Sequence, residues 1–87
     1  MVDEEKKLIG KIVHYYAKIG VAVVDLTDKV SVGDTISIEG AVTNLKETIN
    51  SMEVEHKKIQ TAKAGDSIGL KVGDRVREGD AVYKVVG

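Results

Sequence analysis

The sequence predicts a β-rich fold, and three observations carry that prediction. Val and Ile number 14 and 8 against 4 Leu, and β-branched side chains, stiff at χ1, suit a pleated sheet better than a helix. Ile36 and Ile38 alternate with Thr35, Ser37 and Glu39, which is the period of a strand with one face buried. Gly-Asp pairs recur at 33–34, 65–66, 73–74 and 79–80, each near a strand boundary. Gly tolerates φ > 0 there and Asp bonds neighbouring amides, so these are turn signals.

An 87-residue chain reads as one domain, and a domain of this size buries only about two-thirds of its unfolded surface. Phe, Trp and Pro are absent, and the aromatics are Tyr15, Tyr16 and Tyr83. Zero cysteines exclude disulfides and thiolate metal sites and agree with a reducing compartment. The start, MVDEEKK, has no apolar signal region, and the longest uncharged apolar run, Ile19 to Val24, is far short of the ~20 residues that span a bilayer. The expectation is a soluble, cytoplasmic protein without a membrane partner. Thirteen basic and fourteen acidic residues give a net charge of -1, so any nucleic-acid contact needs a local patch rather than an overall field.

Element by element, a charged leader at 1–7 precedes a single domain at 8–87. The segment LIGKIVHYYAKIGVAVVDLTD predicts strands at 8–16 and 21–26, interrupted at Lys18 to Gly20 as in a hairpin or a bent strand. Val30 and Val32 lead into the first Gly-Asp turn, and the strand of Ile36 and Ile38 follows, with Thr35, Ser37 and Glu39 facing outward. From Leu45 onward two readings stay open. Ile49, Met52, His56 and Ile59 fall at helical spacing, Asn44 and Glu47 fit a capping box, and Gly65 fits a helix end. Against the helix, Thr43, Thr48, Ile49 and Val54 are poor helix formers, Met52, Val54 and His56 also alternate, and Asn50-Ser51 fits a bend. Two further strands close the chain, at 67–72 and 81–86, with GDRVREGD turning between them. The Gly-Asp spacing is too irregular for a solenoid, and no glycine-rich segment matches a phosphate loop, so nucleotide hydrolysis is not expected.

VGDTISIEG at 32–40, then Glu53, then Lys57 and Lys58, then AGDSIG at 64–69 stand in one order. That order resembles domain 2 of the translational GTPases, the β-barrel of elongation factor Tu and its relatives, over about residues 8–86. The resemblance implies strands near 43–49 and 52–59 in place of a helix. It also implies a small closed antiparallel Greek-key β-barrel of six or seven strands. In that family the barrel helps hold the aminoacylated end of tRNA, and Glu53 matches the strand glutamate that lies near the terminal adenine. Glu55 stands where the family has an aromatic residue or His, and VVDLTD, KVGD and a shorter final turn also depart from its pattern. The opening hairpin, KIGVAVVDLTD, is similar as well to the small accessory barrel appended to collagenase-like bacterial peptidases.

The candidate contact residues are Lys46, Glu53, His56, Lys57, Lys58 and Lys63. Their lysines fit phosphate contacts whose affinity falls with salt, but they fit equally a solvated strand face that discourages edge pairing. Glu47, Glu53 and Glu55 dilute the charge, and no aromatic residues interleave with it to stack bases. Of Tyr15 and Tyr16, one faces the core and the other faces out. Arg75 and Arg77 flank Val76 and share a side if extended. With two histidines, no ligand spacing and no nucleophile motif, neither a metal, a cofactor nor catalysis is expected. The sequence thus suggests a non-catalytic, translation elongation factor-like binding module that contacts RNA, tRNA or the ribosome. The alternative is a protein-interaction accessory domain acting in trans, as the peptidase-linked barrels act in cis.

Overall fold

Alternating aliphatic residues need a second surface to cover them, and the chain supplies it by coiling one antiparallel sheet around a common core. The computed structural model describes residues 5–86, and every regular element among them is a strand. These are β1 (Lys6–Tyr16), β2 (Val21–Leu26), β3 (Val30–Ser31), β4 (Thr35–Glu39) and β5 (Asn44–Thr48). Then come β6 (Met52–Val54), β7 (Lys57–Ile59), β8 (Thr61–Ala62), β9 (Ser67–Lys71) and β10 (Ala81–Val85). Eight form a ladder in the order β5-β4-β10-β1-β2-β9-β6-β7, and β3 pairs with β8 as a separate ribbon. Strand β10 inserts between β1 and β4, and β9 between β2 and β6, so the order uses long returns instead of a meander.

This all-β antiparallel architecture agrees with the sequence in class and differs in detail. There are ten short strands where six or seven were expected. The ladder ends, β5 and β7, do not pair among the described residues; the β3–β8 ribbon, one strand continuing from each side, draws the ends together. Val32 N–H donates to Gln60 O at 2.9 Å, and Gly33 N–H donates to Ile49 O at 2.9 Å, which extends that tie. The expected strand at 52–59 is a tight hairpin, β6–β7, in which Met52 faces Ile59. The helix reading that ran from an Asn44 cap to Gly65 fails, because that stretch holds β5, β6, β7 and β8. The interruption after Tyr16 is a hairpin closed by Gly20 N–H to Tyr16 O at 2.9 Å. Strand β1 takes in Lys6 and Lys7 of the expected leader; residues 1–4 lie outside the described residues.

The core is aliphatic. Ile9, Ile12, Ala22, Val24, Ile36, Ile38, Met52, Ile68, Leu70 and Val82 point inward, with Val72 and Val76 anchoring the long segment between β9 and β10. Ser37 departs from the expected alternation: it is only 3% exposed, its hydroxyl donating to Glu39 Oε2. Strand β1 pairs with both β2 and β10 and shifts register at Ile9 against β10 and at Val13 against β2. Such bulges bend a strand and raise its twist. Gly10 sits between them because a Cβ there would lie 2.5 Å from Asp25 O and 2.9 Å from Val24 Cγ1. Among the described residues no helix is long and apolar enough to cross a membrane.

Three of the four Gly-Asp pairs build one motif. In Ser31–Asp34, Lys63–Asp66 and Arg77–Asp80 the aspartate N–H donates to the first residue's carbonyl at 3.1 Å. The aspartate Oδ2 accepts the first residue's N–H in return, at 2.8, 3.1 and 2.9 Å. Gly33, Gly65 and Gly79 hold φ of 97°, 93° and 91°, the backbone a type II turn needs. The fourth pair departs from it: Gly73 N–H donates to Glu47, and Asp74 bonds only the adjacent Arg75 N–H. Asp80 is the most enclosed, at 5% exposure. Asp80→Ala should therefore lower unfolding free energy by about 1–3 kcal/mol, whereas Asp74→Ala should stay within about 0.5 kcal/mol, both read from urea denaturation.

Ionic contacts brace the start of β1. Lys6 Nζ meets Glu39 Oε2 and Lys7 Nζ meets Asp28 Oδ2, each at 2.6 Å. The hydrogen bond from Lys6, then that from Ser37, holds the Glu39 carboxyl below its usual range, and Lys7 and the Lys29 N–H do the same for Asp28. A depressed folded pKa means that the stabilisation is full above the ordinary carboxylate values of about 4 and is lost as pH falls through the depressed ones. The urea midpoint should accordingly fall between about pH 5 and pH 2, and the Asp28→Asn/Glu39→Gln variant should show a smaller fall over the same range.

Candidate functional site

The run Ile19 to Val24 makes β2 apolar on both faces. Ala22, Val24 and Leu26 enter the core, which leaves Val21 and Val23 on the outside. There Val23 faces Gly69 of β9, Gly69 faces Glu53 of β6, and Glu53 faces Lys58 of β7. Gly69 contributes no side chain to this row; a Cβ there would lie 3.3 Å from Val21 Cγ1. The result is a cleft of about 450 Å³. Val21, Val23, Ile68 and Gly69 line it along β2 and β9, Tyr16 and Ile19 come from the β1–β2 turn, and Glu53, Glu55 and His56 come from the β6–β7 hairpin.

Both ends of the cleft are built for position. Tyr16 and Ile19 are 49% and 58% exposed, large apolar groups side by side on a small domain. The Tyr16 ring packs edge-on against His14 with centroids 4.2 Å apart, and His14 Nδ1 lies 3.3 Å from Glu78 Oε2. Tyr15 packs against the core, so the tyrosines divide as strand alternation predicts. Across the cleft, Glu55 and His56 form a two-residue hairpin loop with φ of 51° and 66°. A type I′ turn demands positive φ at both positions and favours Asn-Gly. Two residues with Cβ atoms in the left-handed region cost roughly 1 kcal/mol each, and such strain clusters at functional sites.

Of the six residues singled out from sequence, Glu53 and His56 line this cleft. Lys57 and Lys58 are exposed on β7, the end strand of the ladder, and Lys63 opens the turn after β8. Lys46 sits on β5, at the other end of the ladder, opposite Ser37. The sequence reasoning missed Tyr16, Ile19, Val21 and Val23 as a surface. Their signal was available: an unbroken apolar run long enough for a strand but not for a membrane helix marks a strand with two faces to cover.

A second cleft, of about 360 Å³, collects Arg75 and Arg77 with Asp74 against Val42, Thr43, Asn44 and Leu45. Burial of Val76 between the arginines puts both on one side, as their spacing suggests. Among the described residues no three His, Asp or Glu side chains are grouped to hold a metal ion.

No family model matches the chain. Over 76 residues, 86% of its length, it is 42% identical to an uncharacterized protease of Methanocaldococcus jannaschii, and it spans 19% of that protein. Its fold matches the C-terminal domain of a protein assigned to the U32 peptidases, from Geobacillus thermoleovorans, with a TM-score of 0.85 at 18% identity, covering 90% of this chain and 99% of that domain. A second structure of that domain gives the same score and identity over 92% and 93%. Of the two resemblances read from sequence, these support the peptidase-linked barrel and carry nothing for a translation-factor role.

Because Glu55 and His56 are held in a backbone that neither favours, the Glu55→Asn/His56→Gly variant should be the more stable protein. A gain of about 1 kcal/mol would raise Tm by roughly 4–8 °C in a domain of this size, measured by thermal denaturation.

Proposed function

We propose that this chain is a non-catalytic accessory barrel of the collagenase-like peptidase class, contributing polypeptide binding to a catalytic unit that lies elsewhere. The observation that carries this reading is the outer apolar cleft of β2 and β9, on a fold shared with a peptidase C-terminal domain. Exposed apolar surface on so small a domain is costly unless a partner covers it. Fold likeness alone leaves activity open, and the 42% identity to a protease supplies the link to that class. The absence of a nucleophile motif supports a role in binding. RNA contact draws little from the arrangement of the lysines, since Glu53 stands directly across from Lys58 and offsets its charge.

The test is reconstitution. A collagenase-like catalytic unit stripped of its own barrel is assayed with and without this chain, added or fused. Cleavage of a folded or extended protein substrate should rise severalfold with the chain present, cleavage of a short chromogenic peptide should not change, and the chain alone should cleave neither. Hydrolysis by the chain alone, or no effect on protein cleavage, would overturn the proposal.

A further inference from the structure

Every described carboxylate except those of Glu5, Glu53 and Glu55 accepts a hydrogen bond or joins an ion pair within the chain. Two of those three line the same apolar cleft. Lys58, directly across the hairpin from Glu53, forms no ion pair with it. A carboxylate beside an apolar wall favours a cation that brings its own apolar neighbour. The cleft also holds an open strand edge. Strand β9 pairs with β2 along Ser67–Lys71 but with β6 only at Gly69 and Leu70, because the β6–β7 hairpin turns away. The main-chain groups of Ile68 face β2, where it pairs with Val24, so the open edge toward the hairpin is that of Ser67, which lines the cleft. An unpaired edge beside an apolar trough is the setting in which an extended peptide adds as a strand.

From these three features we infer that the cleft binds an extended polypeptide segment carrying Lys or Arg next to a β-branched or aromatic side chain. Its main chain lies along the open edge at Ser67, its apolar side chain rests on Val21, Val23 and the gap above Gly69, and its cation meets Glu53 and Glu55. The Glu55-His56 turn, bent against its preference, puts Glu55 among the residues that line the trough. This inference rests on the accessory-barrel reading and adds the chemistry of the ligand to it.

The probe is a fluorescein-labelled nonapeptide of alternating Val and Lys, titrated with the full chain by fluorescence anisotropy, beside twins with Glu for Lys and Ser for Val. The Val/Lys peptide should bind and both twins should bind at least tenfold more weakly. Glu53→Gln/Glu55→Gln should weaken binding about tenfold, the equivalent of 1.4 kcal/mol, while Glu5→Gln leaves it unchanged. Gly69→Val, which fills the trough, should abolish binding. Circular dichroism checks the fold of that variant, and the two glutamines, which leave the backbone untouched, decide the matter if it fails to fold. Equal binding of the Glu-for-Lys twin, an unchanged affinity in the glutamine variant, or no binding of the Val/Lys peptide would overturn the inference. If the glutamine variant still stimulates protein cleavage in the reconstituted peptidase, the accessory role stands and only this ligand assignment falls. If stimulation never occurs while the peptide binds as described, the accessory role falls and the assignment of the cleft stands.

Discussion

The bend of β1 is the constraint on which the other elements depend. A flat sheet of eight strands would leave one aliphatic face in water, and this chain has no helix among its described residues to cover it. Two register shifts in one strand, at Ile9 and Val13, let β1 curve while it stays paired on both sides. Gly10 lies between them, where the approach of the β2 backbone leaves no room for a Cβ. Strand β1 pairs with β10 along its first half and with β2 along its second, and the sheet wraps far enough for Ile12, Val24, Ile38 and Val82 to share a core. The β3–β8 ribbon adds a second, two-stranded pairing that places Val30 and Ala62 in the same core.

The turns show how a short sequence motif becomes geometry only through its surroundings. Three Gly-Asp pairs close on themselves, each aspartate holding the amide three residues back. The fourth has the same dipeptide, yet the carboxylate of Glu47, from a different hairpin, takes the Gly73 amide. With that amide committed to a neighbour, the chain bends at Gly73 and Asp74 and is anchored by the burial of Val76. A dipeptide supplies the option of a turn; competition for its hydrogen bonds decides whether the option is used.

Local backbone preference and overall structure disagree at the Glu55-His56 turn, and there the cleft lies. Consistency across levels is the usual state of a folded sequence, and departures from it concentrate where something other than stability is selected. The outer face of β2 is a second departure of the same kind, because Val21 and Val23 are apolar where a one-sided sheet would carry polar residues. Both departures border one trough, floored by a glycine and rimmed by two carboxylates without internal partners. Their coincidence makes a binding surface a better account of this region than imperfect packing.

Much of the architecture was legible in the sequence by itself. The β-branched excess, the alternation around Ile36 and Ile38 and the Gly-Asp pairs announced a β-rich domain, because these signals act over a few residues and need no knowledge of distant partners; its antiparallel barrel form was what the family resemblance implied. The stretch from Asn44 to Gly65 was not decided that way. Its apolar residues fit a helix as well as strands, and only cover from β4, β9 and the ribbon makes the extended form the stable one. The site divided along the same line. Glu53 and His56 were visible as residues, but their joining with Tyr16, Ile19 and Val23 required the strand order. Periodicity tells which face of a strand is apolar, whereas which strand lies beside it depends on pairings across tens of residues, and those are settled by the competition to bury the whole core at once.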